Sequence, residues 1–159
     1  MRFSVLGALV LTACASPRTS VGDAATVDRV RAFMATVARR ITADGPAAWR
    51  GFFVDDSTFF MASEGRLVLP SSDAATRAIE QLQHVITHIE LTWGDTIRID
   101  PLAPDLAVIG APYHEVRVDR DGHRVEEQGY FTGVAQRRAD GWQLRDAHWS
   151  VETPPAAVP

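Results

Sequence analysis

The stretch Asp140-Gly141-Trp142-Gln143-Leu144-Arg145-Asp146-Ala147-His148-Trp149-Ser150-Val151 decides how this chain is read. Asp140-Gly141 is a turn signal, and the residues after it alternate as a strand does. Side chains along a strand point to opposite faces in turn. Trp142, Leu144, Asp146, His148 and Ser150 therefore share one face, and Gln143, Arg145, Ala147, Trp149 and Val151 the other. Working backwards, Arg124 to Arg137 reads as the preceding strand. Asp119-Arg120-Asp121-Gly122 reads as a hairpin turn, fed by a long strand from Ala107 to Val118. Pro112 interrupts that strand and predicts a bulge or an edge. Pro101 to Pro104 reads as a turn. Ile89, Leu91 and Trp93, resumed by Ile97 and Ile99, open what reads as a meander of four strands.

The first half of the chain is helical by pattern. Val27, Val30, Met34, Val37 and Ile41 step by three and four residues, which makes one apolar stripe. Asp23 or Thr26 is placed to cap that helix, and Asp44-Gly45-Pro46 stops it. Pro46 suits the first turn of a short second helix through Ala48, Trp49 and Phe52. Thr58 to Ala62 and Leu67 to Leu69 read as two short strands around a turn at Ser63-Glu64-Gly65-Arg66. Pro70-Ser71-Ser72-Asp73 caps a further helix with Ala75, Ile79, Leu82, Val85 and Ile86 on its apolar side. The predicted fold class is α+β, with the helices packed on one face of a strongly curved antiparallel sheet.

Composition narrows the function classes. The chain has 159 residues, a formal net charge of −4, 46% hydrophobic and 23% charged residues. That is one ordinary globular domain. An acidic chain is a poor nucleic-acid binder, so no nucleic-acid partner is expected. All 16 basic residues are Arg. Without Lys there is no Schiff-base chemistry and no Walker-type phosphate loop. A single cysteine excludes an intrachain disulfide and a cysteine-rich zinc site.

Ala107-Val108-Ile109, the Asp121-Gly122 hairpin, Gly129-Tyr130-Phe131-Thr132, Asp140-Gly141-Trp142-Gln143-Leu144 and His148-Trp149-Ser150 together resemble the SnoaL-like branch of the nuclear transport factor 2 superfamily. The resemblance covers about residues 21–152. It implies a curved antiparallel sheet wrapped around the N-terminal helices as a cone-shaped, cystatin-like roll around a pocket, and homodimers formed through the outer sheet face. The family pattern would place Trp142, Leu144, Asp146, His148 and Ser150 inward. The N-terminus carries a second resemblance. Met1-Arg2, the apolar run Phe3 to Leu11 and the closing Leu11-Thr12-Ala13-Cys14 look like a bacterial lipoprotein signal. About nine apolar residues suit a signal core and are too few to span a bilayer. The expected organisation is a signal over 1–13, lipidation at Cys14, a tether over 14–22, the SnoaL-like domain over 23–152 and a disordered tail over 153–159. The expected location is the cell envelope, with the lipid as membrane anchor, or secretion to the periplasm if Cys14 is not lipidated.

Several side chains could carry chemistry. A histidine beside a carboxylate can serve as a general base near neutral pH, which makes His148 with Asp146 a candidate pair. Tyr113 or Tyr130 is a candidate donor. Tyr113 and Glu115 fall on one side of their strand, and His114 and Val116 on the other. No nucleophile elbow surrounds Ser150, so it reads as a polar pocket contact. Trp49, Phe53, Phe60 and Trp93, with Glu115 and Ser150, are candidate ligand contacts. Glu80, His84 and His88 lie four residues apart, a spacing that can hold a metal. No Glu follows His84, and with Arg77 and Gln81 nearby the row reads as a solvated stripe, so no metal and no cofactor are expected. Arg117, Arg120, Arg124, Arg137 and Arg138 read as solvated surface.

Three functions stay open on these residues. The first is a lipid-anchored envelope protein binding a small, largely apolar ligand in the cone. The second is a cofactor-free isomerase, cyclase or dehydratase with His148 as base, oriented by Asp146. The third is a dimerising protein-interaction module.

Overall fold

The computed structural model describes residues 21–152. The signal, Cys14 and the C-terminal tail lie outside the described residues. Helix α1 runs Val21–Asp44. Thr26, Val30, Phe33, Met34, Val37 and Ile41 form its buried stripe. Thr26 is buried well inside the helix, so it is not the cap. Gly45 ends the helix at φ 75, where its amide donates to the Ile41 carbonyl over 3.0 Å. A side chain there would be strained, which is why glycine stands at this stop. Pro46 opens the short helix Pro46–Gly51, which is 3-10 rather than α.

Strands β1 (Phe60–Ser63) and β2 (Arg66–Leu69) form a hairpin. Helix α2 spans Ser72–Val85, capped by the Ser71 hydroxyl, which accepts from the Ala74 amide over 3.2 Å. It ends at Val85, and Ile86 is already extended at φ −95, ψ 125. The stripe expected to run through Val85 and Ile86 therefore stops short, and Val85 is exposed. The Glu80-His84-His88 row also dissolves, because His88 lies on the next strand. Glu80 pairs with Arg50 at 2.7 Å and His88 with Glu90 at 3.1 Å.

The remaining strands are β3 (Ile86–Trp93), β4 (Arg98–Ala103), β5 (Leu106–Asp119), β6 (Arg124–Arg138) and β7 (Gly141–Val151). The sheet order is β2-β1-β7-β6-β5-β3, with β4 also on β5. The expected four-strand meander is thus five strands, because β3 and β4 share one edge of β5. Pro112 sits where they change over. Its carbonyl accepts from the Gly94 amide over 2.8 Å. In a strand, N–H and C=O of one residue point the same way, so the missing N–H faces the gap between β3 and β4. Pairing of β5 with β6 runs through Pro112 without a shift, and the expected bulge is absent there.

The sheet is mixed, not wholly antiparallel, because β1 pairs parallel to β7. The chain is already aligned that way earlier. The Val54 amide donates to the Leu144 carbonyl over 3.0 Å, and Leu144 returns a bond to Phe52 over 2.7 Å. Phe60–Ser63 then continues alongside Asp146–Trp149. The core lies between α1, the 3-10 helix and the concave face of the sheet. Phe59, Phe131, Met34, Ile41, Ile89, Leu91, Ile109 and Leu144 are its largest fully buried side chains.

One irregularity decides which residues reach the interior. On β6, Val134 pairs with Asp146 and Ala135 with Leu144, so Arg145 is an extra residue in β7. Such a bulge reverses the alternation beyond it. Trp142 and Leu144 pack inward before it, and Ala147, Trp149 and Val151 face inward after it. Asp146, His148 and Ser150 consequently lie on the outer face, opposite to the inward placement the family pattern implied.

Candidate functional site

The cone holds a cavity of about 310 Å³. The Trp49 ring, on the short helix, stacks at 5.4 Å on Phe53, which follows that helix, and both line the cavity. Met61 and Leu69 come from the β1–β2 hairpin, Ile79 and Leu82 from α2, Ile89 from β3 and Trp149 and Val151 from β7. Trp149 is the hub of the aromatic wall. Its ring lies 4.7 Å from Tyr113, 4.8 Å from Phe131, 5.8 Å from Trp93 and 5.9 Å from Trp49.

The polar lining gathers at one end. Tyr113, Glu115 and Arg117 alternate inward along β5, and Glu127 lies directly opposite Glu115 on β6. Arg117 bridges the two carboxylates, Nε at 3.3 Å from Glu115 Oε1 and Nη2 at 2.5 Å from Glu127 Oε1. The Glu115 side chain is only 13% exposed, against 30% for Glu127. Burial raises the Glu115 carboxyl above its ordinary value, Arg117 opposes the rise, and Glu127 adds to it. Burial also pushes the Tyr113 phenol up to about 12, helped by the charges of Glu127, Glu115 and Glu64 and opposed by Arg117. Tyr113 thus stays a protonated donor, and Glu115 is a buried carboxyl raised above its ordinary value in the same lining.

A raised carboxyl has a consequence for stability. Below its unfolded value the protonated Glu115 is tolerated fully, and that stability is lost as pH rises through the raised folded value. Glu115→Gln should remove this fall while Arg117 keeps Glu127 as partner. Urea titrations of both proteins across the mildly acidic range test it. Parallel stability–pH curves would show that Glu115 burial does not govern this region.

The structure brings together Tyr113, Glu115, Trp49 and Phe53 of the sequence candidates. It does not bring the others. Phe60 points outward on β1 and is 45% exposed. Trp93 lies behind Trp149 in the core, its Nε1 donating to the Met34 carbonyl over 2.8 Å, and does not line the cavity. Tyr130 is exposed on the outer face beside Ser150, whose Oγ donates to the Tyr130 carbonyl over 3.1 Å. Asp146 and His148 share that face, with no hydrogen bond or ion pair between them among the described residues. Burial raises the Asp146 carboxyl, against Arg145 and the Val134 amide. Cys14 is outside the described residues.

Arg117, expected as solvated surface, instead lines the cavity with its side chain 29% exposed, and Glu127 was no candidate. Arg117 shares its strand face with Tyr113 and Glu115, which was the available signal. Glu127 depends on the hairpin register. Val118 pairs with Arg124, and Gly122 takes φ 83, which leaves an odd-numbered loop of five residues from 119 to 123. A four-residue turn over 119–122 would have set Glu126 against Glu115 instead. Glu126 in fact faces out and pairs with His114 at 2.7 Å. Among the described residues one further carboxylate–histidine group, Asp119, Asp121 and His123, is grouped closely enough to suit a metal, and it is surface-exposed in that same hairpin.

No family model matches this sequence, and no curated protein matches it. Solved structures do. A nuclear transport factor 2-like superfamily protein from Salmonella enterica serovar Typhimurium superposes with a TM-score of 0.70 at 14% identity, covering 84% of this chain and 96% of that one. A putative scytalone dehydratase from Novosphingobium aromaticivorans gives a TM-score of 0.70 at 11% identity, over 83% and 87% of the two chains. A hexachlorocyclohexane dehydrochlorinase, LinA-type3 from Novosphingobium barchaimii, gives 0.63 at 10% identity, over 87% and 95%. The fold is the nuclear transport factor 2-like cone.

Proposed function

We propose that this chain binds a small, largely apolar molecule inside its cone. One observation carries the reading: a cavity of about 310 Å³ with an aromatic and aliphatic wall whose charged groups gather at one end. Ligand sites typically begin at about 300 Å³ and pair an apolar wall with a few placed polar groups. Ala78 lines the cavity from α2 and is half-buried. Ala78→Trp should fill the space and weaken binding of any ligand found by screening by at least about tenfold, with the thermal midpoint little changed. Undiminished binding by that variant would place the ligand elsewhere.

A second reading is favoured by Glu115 and Tyr113 together. Neighbouring structures are described as a dehydratase and a dehydrochlorinase. A cofactor-free elimination fits the same cavity. Glu115 would take a proton from carbon, the C–H pair would form the double bond, and Tyr113 would donate to the departing group. This moves the acid–base role from His148 and Asp146, which face outward, to two groups inside. Loss of turnover in Glu115→Gln with retained binding is its test, and unchanged turnover would end it.

The SnoaL-like assignment, lipid anchorage at Cys14 and homodimerisation through the outer face belong to the same proposal. No described helix is long and apolar enough to cross a membrane. Exposed Phe60, Val108 and Tyr130 lie on the face a second copy would cover. Intact mass and sedimentation of the membrane-extracted protein check both points. An unmodified Cys14 or a monomer would remove them.

A further inference from the structure

We infer that the molecule this cavity takes carries a cationic head, an amine or ammonium, on its apolar body. The inference rests on the cavity being the binding site. Arg117 is the one cationic side chain lining the cavity among the described residues. Its guanidinium is already held by two carboxylates, Glu115 and Glu127. One positive charge thus faces two negative ones. Glu64 adds a third carboxylate near this end. It reaches Tyr113 through its field, and its Oε1 accepts from the Val151 amide over 2.6 Å. A negatively charged ligand would meet this excess directly.

The uncharged walls at that end favour the same chemistry. Tyr113 stands at 85° to Trp149, and Trp49 stands at 88° to it. Three electron-rich rings therefore line the same cavity as the carboxylates, Tyr113 two residues from Glu115 on one side of β5. Aromatic rings with an adjacent carboxylate are a strong receptor for an organic cation, and a desolvated site strengthens both attractions. The buried Glu115 gives a further reason. A carboxylate taken out of water is costly unless it is neutralised. Arg117 is shared and meets Glu115 only at 3.3 Å. A ligand ammonium at Glu115 would complete the neutralisation.

The probes are phenethylamine, phenethyl alcohol and phenylacetate, which share one apolar body and differ in the charge of the head. They are titrated into the full chain, Glu115→Gln, Glu127→Gln and Ala78→Trp, with tryptophan fluorescence and chemical-shift changes as readouts. Phenethylamine should bind at least about tenfold tighter than the alcohol, and phenylacetate most weakly. Glu115→Gln should erase the amine's advantage and leave alcohol binding intact, which also shows that the variant is folded. Glu127→Gln should reduce the advantage. Equal binding of the three probes, abolished by Ala78→Trp, would overturn the cationic head and leave the cavity reading standing. Tightest binding of phenylacetate would overturn it in favour of Arg117 as the recognition group. No binding of any probe would overturn this inference and the cavity reading together.

Discussion

Trp149→Ala should lower stability by about 3 kcal/mol and abolish ligand binding in the cone. Its ring touches Trp49, Trp93, Tyr113 and Phe131, which come from the short helix, β3, β5 and β6. Truncation removes one partner from four aromatic pairs and opens a space between elements distant in sequence. Buried Trp or Phe to Ala changes cost about 3–5 kcal/mol. Trp149 borders a cavity and is half-buried, so the lower end applies. Urea unfolding measures the loss, and a probe titration measures the binding. A loss below about 1 kcal/mol would mean that the wall is held by the other aromatics without their hub.

Gly129→Ala should cost roughly 2–4 kcal/mol, more than any surface change. A Cβ on Gly129 would lie 1.9 Å from the Ser150 carbonyl oxygen and 3.0 Å from the Val151 Cα. Both are backbone atoms of the paired strand, so no side chain can swing aside. Strands β6 and β7 must part at Gly129 and Val151, which pair directly. The bond from the Glu152 amide to the Gln128 carbonyl, 2.8 Å, closes the same end and should be lost. Val151 also lines the cavity, so binding should weaken as this end frays. Gly51→Ala is the control. Nothing lies within 4 Å of its added Cβ and its φ is outside the left-handed region. A Gly129→Ala protein as stable as Gly51→Ala, with unchanged amide exchange at Val151, would show that the strands reach the same pairing with a side chain present.

Much of the molecule was legible before folding. The stop at Asp44-Gly45-Pro46 and the cap at Ser71 are local signals, and both operate where they were read. Trp49 and Phe53 were candidates as aromatics and reach the cavity, and Tyr113 and Glu115 reach it together because alternation puts them on one side of β5; that this side faces inward was decided by the folded sheet. The end of α2 was not legible, because Val85 and Ile86 suit either a helix stripe or a strand. The parallel pairing of β1 with β7 was not legible either, since a four-residue strand carries no mark of its direction.

By itself the sequence determined most of the elements and their order, the curved α+β arrangement and the shared side of Tyr113 and Glu115 on their strand. Those follow from local propensity and from the period of apolar residues, which neighbours in the chain impose. Only the tertiary structure decided that β7 spends an extra residue at Arg145. The letters do carry a trace, since the apolar residues change parity there, from Trp142 and Leu144 to Ala147, Trp149 and Val151. The position of the bulge is nonetheless chosen by β6 and β1, which must pair with β7 on its two sides while the Trp149 ring enters the core. That choice sends Asp146, His148 and Ser150 to the outer face. Register between distant strands likewise set Glu127 against Glu115 and so built the charged end of the cavity.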